Sequence, residues 1–249
     1  MSKSPHTNVI DKTVKDSLIK EDPKSKEIIK PYLDGKDVAR YFIKTKNKFL
    51  IFTRRGINIE NYPAIKKYLS KFKNDLSPKK NRTEKRGRKP GIYKWYEIQD
   101  STAYFKEFEK PKIIYGRIIT KPRFVIDYDG FYVSAANSII HRPDKKIIAI
   151  FNSKLGEFLI KNTCTLLRGG YQLMWDDFKN VPISQNNSNK LEQLVTDILD
   201  LNKELQNIQS AEKKSEIEKK IIKTDEEIEE EVYRLYNITE EEKKIIESI

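Results

Sequence analysis

The chain has 249 residues and a single cysteine, Cys164, which allows a sizeable core but excludes an internal disulfide framework. Charged residues make up 35% of it, yet it holds 13 Tyr, 11 Phe and 2 Trp, more aromatics than a disordered chain carries, so a folded, soluble protein is expected. The net charge of +12 is uneven: residues 190–249 hold ten Lys/Arg against seventeen Asp/Glu, a balance of −7, which leaves +19 for residues 1–189.

The first residues, "MSKSPHTNVIDKTVKDSLIK", lack the apolar core of a signal peptide. The longest apolar run, "IIAIF", is far shorter than the roughly 18 residues of a membrane span. With one cysteine and no such segment, a cytoplasmic address without membrane contact is expected. A short helical stretch is expected from Ser25 to Pro31, followed by a turn at Asp34-Gly35. "KFLIFT" (48–53) reads as a strand, and Ile65, Tyr68, Leu69 and Phe72 recur at helical spacing between Pro63 and Pro78.

Residues 79–96, "KKNRTEKRGRKPGIYKWY", place eight Lys and Arg against one Glu and run into three aromatics. Gly87, Pro90 and Gly91 rule out a continuous helix, so this is a loop. Arg82, Lys85, Arg86, Arg88, Lys89 and Lys94 can fork onto guanine edges or bind phosphates, while Tyr93 and Trp95 can anchor the loop or stack. A solvated loop whose charge serves only solubility is the alternative.

From Lys112 the chain alternates short Ile/Val/Tyr/Phe runs with breaks at Pro122, Asp129-Gly130 and Pro143, the pattern of a small meandering antiparallel sheet with a hairpin at Asp129-Gly130. Arg117, Lys121, Arg123 and Arg168 add basic residues to this region, and surface ion pairs are their ordinary use. Residues 144–163 return to helical spacing as one core helix, with Asp144 as its cap. The Gly169-Gly170 pair forces a turn.

"SQNNSNK" reads as a linker, so the boundary between a domain of residues 1–188 and a helical segment of residues 189–249 is placed there. Leu191, Leu194, Ile198, Leu201, Leu205 and Ile208 form a heptad seam, and apolar spacing resumes at Ile217, Ile221, Ile228, Val232 and Leu235. Two helices joined by a turn are expected, serving as spacer or docking element, packed on the domain or dimerising through 190–236. Thr239 and Glu242 form a capping box that opens a last helix.

Catalytic motifs are scarce. There is no Gly-x-Gly-x-x-Gly, P-loop, His-Glu-x-x-His or Asn-Pro-Pro-Tyr, and His6, His141 and Cys164 lack metal-ligand spacing. A Mg²⁺-dependent nuclease would have to use Asp127, Asp129 or Asp144, which turn and cap chemistry already accounts for. RNA binding is a weaker rival, lacking an RNP-like strand or a Gly-x-x-Gly loop.

The stretches "EDPKSKEIIKPYLDGKDVARY", "WYEI" (95–98), "FEKPKIIYGRI" (108–118), "FVIDYDGFY" (124–132), "LRGGYQLMWDDFKNVPI" (167–183) and "VYRLYNITEEEKKII" (232–246) resemble, in order, the C-terminal specificity region of TaqI-like adenine methyltransferases and Type IIG restriction-modification enzymes. The resemblance implies an α+β target recognition domain, mixing antiparallel sheet and helix and followed by a coiled-coil-like helical segment, that reads double-stranded DNA. It implies that the chain is not itself an enzyme and holds no cofactor. S-adenosylmethionine and Mg²⁺ would belong to a methyltransferase/endonuclease domain or subunit that this sequence does not contain. A fragment of a Type I-like specificity subunit is the nearest alternative. The positions it carries over are Arg86, Arg88, Tyr93, Trp95, Arg117, Arg123 and the Arg168-Gly169-Gly170 turn.

Overall fold

The computed structural model describes residues 8–44, 47–81, 83–100, 103–167 and 169–248. His6, Arg82 and Arg168 lie outside the described residues. In chain order the elements are β1 (Val9–Asp11), α1 (Lys12–Glu21), β2 (Ile29–Leu33), β3 (Lys48–Ile51), α2 (Pro63–Ser70), α3 (Lys73–Leu76), β4 (Lys112–Gly116), β5 (Ile118–Ile119), β6 (Phe124–Asp127), β7 (Tyr132–Val133), β8 (Asn137–Ile140), α4 (Lys145–Asn152), α5 (Lys154–Thr163), β9 (Thr165–Leu167), β10 (Gly170–Gln172), α6 (Trp175–Phe178), α7 (Asn189–Asn207), α8 (Ala211–Leu235) and α9 (Glu240–Glu247). The fold is α+β with antiparallel pairing throughout these strand ladders.

The chain divides into two compact units, one from Met1–Leu33, Thr45–Lys110 and Asp129–Tyr132, the other from Asp34–Lys44, Pro111–Tyr128 and Val133–Ile249. In the first unit β1, β3 and β2 pair in that order, and Tyr132 of β7 belongs to the same sheet. Ile10, Leu18, Ile51, Ile65 and Leu69 pack into its core. A second, aromatic cluster gathers Tyr32, Phe52 and Tyr132 with Phe105 and Phe108. The stretch from Ser25 is a 3-10 turn (Pro23–Ile28) that runs directly into β2, where Pro31 is accommodated opposite Phe49. The helix over residues 63–76 is interrupted after Ser70 and resumes as the single turn of α3.

The second unit holds two three-stranded sheets, β6-β4-β8 and β5-β10-β9. Their order departs from the expected meander, because β4 is central and pairs with both β6 and β8. The hairpin expected at Asp129-Gly130 is also absent. Gly130 does turn with φ +73°, but the strands on its two sides enter different sheets, since Tyr132 stacks among Phe52 and Phe108 instead of returning along β6.

The expected helix over 144–163 breaks at Ser153 into α4 and α5. Asn152 is held by both backbone groups of Phe124 at 2.9 Å, Ser153 caps α5 through Gly156 N at 3.0 Å, and a Cβ at Gly156 would stand 2.0 Å from the Ile150 carbonyl. The break therefore brings two helices to near backbone contact. Asp144 caps α4 through Ile147 N, and Thr239 with Glu242 boxes the start of α9, both as expected.

The boundary expected at residues 188–189 falls inside the second unit. Helices α7 and α8 form an antiparallel hairpin whose Leu191, Leu194, Val195, Ile198, Ile228, Val232 and Leu235 join one core with Phe124, Ile148, Ile150 and Phe151. Apolar burial on this scale makes the hairpin part of the fold. Among the described residues no helix is long and apolar enough to cross a membrane.

Candidate nucleic-acid interface

The basic stretch is a loop with a built foundation. Pro78 and Arg88 form an isolated parallel bridge, with Lys79 N on Arg88 O at 3.0 Å and Arg88 N on Ser77 O at 2.9 Å. Gly87 makes this possible: its φ is +104°, and a Cβ there would meet the Ser77 carbonyl at 2.7 Å. The Arg88 side chain then turns inward, its Nε donating to Leu76 O at 2.5 Å and one terminal nitrogen to Trp95 O at 2.9 Å. It also lies 4.8 Å from the Tyr93 ring centroid, and burial pulls its pKa below the ordinary guanidinium value while leaving it charged.

Tyr93 is buried and its hydroxyl donates to Lys89 O, which closes residues 89–93 into a small tip. Glu97, 4% exposed, accepts from Lys94 N at 2.8 Å and Gly56 N at 2.9 Å. Thr53 donates its hydroxyl to Tyr96 O, and Ile98 N donates to Thr53 O at 2.8 Å. Arg55 reaches Gln99 O at 2.5 Å, and Gln99 in turn accepts from Lys89 N at 3.3 Å. The loop is thus bolted at both ends to the edge of the first unit.

What this foundation presents is cationic. Lys85, Arg86, Lys89 and Lys94 are exposed. Arg86 has a long ion pair to Asp75 at 3.4 Å, which an anionic ligand displaces at small cost. Trp95 is half-buried in an edge-on contact with Tyr96, so like Arg88 it supports the loop more than it faces solvent. Sequence reasoning passed over Ile92, which is 98% exposed, and the braces Arg55 and Glu97. Only "WYEI" as a family stretch hinted at Glu97, because an acidic residue inside a basic run otherwise looks like charge balance.

The remaining expected residues belong to the second unit. Arg117 is half-buried, with one terminal nitrogen 3.1 Å from Met174 Sδ and the other 3.5 Å from Ala135 O. Lys121 is exposed, Arg123 half-buried, and neither makes an ion pair among the described residues. Lys121 lines a shallow cleft with Lys154, Lys161, Glu157 and Glu247, where Lys154 pairs with Glu247 at 3.1 Å and Lys161 with Glu157 at 2.8 Å. Gly169, with φ +80°, turns the β9–β10 connection, and a Cβ at Gly170 would stand 3.0 Å from the Ile119 carbonyl, so this pair serves hairpin geometry.

The carboxylates that a nuclease would need have structural posts. Asp127 is buried against the equally buried Lys112, and Asp144 caps α4. Among the described residues no group of three or more His, Cys, Asp or Glu is placed to hold a metal. Cys164 is buried, and burial pushes its thiol up to about 11.

Comparison with known families matches residues 30–183 to the TaqI-like C-terminal specificity domain. The chain belongs to this family. Among solved structures the fold is similar to part of the Type IIL restriction-modification enzyme MmeI, solved in complex with DNA, at a TM-score of 0.61 and 13% identity. The alignment covers 95% of this chain and 32% of MmeI, so the chain spans about a third of that enzyme's length. No curated protein matches the chain.

Proposed function

We propose that this specificity domain reads sequence in double-stranded DNA for a restriction-modification adenine methyltransferase or endonuclease of Type IIG organisation, without catalysis of its own. The observation that carries the reading is the loop of residues 79–96, which part-buried bonds made by Arg88, Tyr93 and Glu97 brace while Lys85, Arg86, Lys89 and Lys94 stay exposed. A stiff base with long cationic donors is what duplex recognition requires, because phosphate contacts supply affinity and register while bidentate contacts to base edges supply discrimination of about 1–3 kcal/mol each. Arg117, Lys121 and Arg123 supply further donors on the second unit.

S-adenosylmethionine and Mg²⁺ would be bound by the methyltransferase/endonuclease domain or subunit that this chain serves, in a cytoplasmic setting. Leu191, Leu194 and Ile198 of the α7 seam are buried in a core that α8 shares within the chain, which favours a monomeric specificity domain over dimerisation through 190–236. The test is duplex binding by Arg86→Ala, Lys89→Ala and the double variant across a salt series. Each phosphate contact removed should lower the salt slope by about one. Unchanged affinity and slope in the double variant would refute the loop's role.

A further inference from the structure

Ile92 is 98% exposed, more than any other large hydrophobic side chain among the described residues. It stands beside Pro90, which has no backbone N–H, and Gly91, which has no side chain, so no side chain of residues 90–92 can hydrogen-bond a base edge. The tip is nonetheless rigidly built. Tyr93 folds beneath it and bonds Lys89 O, Gln99 holds Lys89 N at 3.3 Å, and a Cβ at Gly91 would lie 2.7 Å from the Tyr93 ring, so only glycine lets the ring take this place. With the Tyr93 ring buried, the aliphatic side chain just before it stands in solvent. Lys89 and Lys94 flank it in the sequence, both exposed.

An apolar point on a braced stem between two cations matches the wedges that nucleic-acid-binding proteins drive between base pairs, with flanking basic residues gripping the phosphates. We propose that Ile92 is such a wedge, entering the base stack of duplex DNA and unstacking one step while Lys89 and Lys94 hold the backbone on either side. The inference rests on duplex DNA being the ligand of this loop. It adds a distortion of the duplex that phosphate binding alone does not produce.

The full chain is mixed with duplexes that it retains from a random pool, resynthesised with 2-aminopurine at successive positions. Wild type should raise the fluorescence at one step. Ile92→Ala should abolish that rise and weaken binding about tenfold, whereas Ile92→Leu should restore both. Thermal melting of all three proteins should coincide, since Ile92 lies outside the cores. Tight duplex binding by wild type with no rise at any position, or a rise that survives in Ile92→Ala, overturns the wedge. If instead binding falls on replacing thymine by uracil, again with no rise, Ile92 touches a thymine methyl in the major groove and the wedge is equally overturned. Absence of any duplex binding by wild type removes the DNA reading and the wedge together.

Discussion

Arg40 sits between two carboxylates of α8, pairing with Asp225 and, at 2.9 Å, with Glu229. Burial raises the pKa of both acids above the ordinary carboxylate range despite the guanidinium. Their folded forms therefore bind more protons than the unfolded chain between the ordinary and the raised values, and this contribution to stability falls as pH rises through that window. Removing the cation exposes the cost. Arg40→Met should destabilise the chain by about 2 kcal/mol at pH 7, a figure discounted from fully buried pairs because Arg40 is a third exposed, and by less at pH 5. Chemical denaturation at the two pH values measures it; an equal loss at both would contradict the assignment. In the basic loop, Arg88→Ala should lower stability by about 1–3 kcal/mol through the bonds to Leu76 and Trp95, while Arg86→Ala should leave melting unchanged and act on DNA alone. These neighbouring arginines look alike in the sequence. What separates them is the fold of Gly87, which turns one inward, and no spacing rule conveys that.

Among the elements, the helical seams were readable because burial every three or four residues follows from the pitch of an α-helix, and the caps at Asp144, Thr239 and Glu242 are local chemistry. The break between α4 and α5 was not, since it depends on Asn152 finding the Phe124 backbone, a partner 28 residues away. The Asp129-Gly130 turn failed for a similar reason: local turn chemistry was right, but the aromatic cluster chose the strand's sheet. The α7–α8 hairpin is locked by Glu231, 3% exposed, which accepts from Ser188, the N-cap of α7, and from Arg234 Nε at 3.0 Å. The Arg234 bond first, with Ser188 adding to it, holds this carboxyl below its usual pKa against the effect of burial. The resulting stabilisation is present above the ordinary carboxylate pKa and is lost as pH falls through the folded value. Glu231→Gln should thus cost about 1.5–3 kcal/mol at pH 7 and flatten the acid limb of the stability profile. A variant as acid-sensitive as wild type would rule this lock out.

For the whole molecule, charge asymmetry was legible from counting residues, with −7 over 190–249 against +19 before it, and so was the family, from stretches spread along the chain. The division into units was not legible. The polar run before α7 looks like a linker, yet the helices after it complete a core begun more than sixty residues earlier by Phe124. Deleting residues 190–249 should therefore unfold the second unit, read as loss of its cooperative melting and binding of a hydrophobic dye, where a detachable spacer would leave melting intact. On the proposed function, the acidic surface of these helices would repel DNA, and the basic residues before them would be the ones to meet it.

The central claim is that this chain carries its own sequence reading, and the measurement that tests it most directly is selection of bound duplexes from a randomised library across a salt series. Enrichment of one short motif, with affinity falling steeply as salt rises, is the result predicted. Salt-dependent retention with no motif enriched would contradict it and reduce the basic loop to a means of positioning DNA.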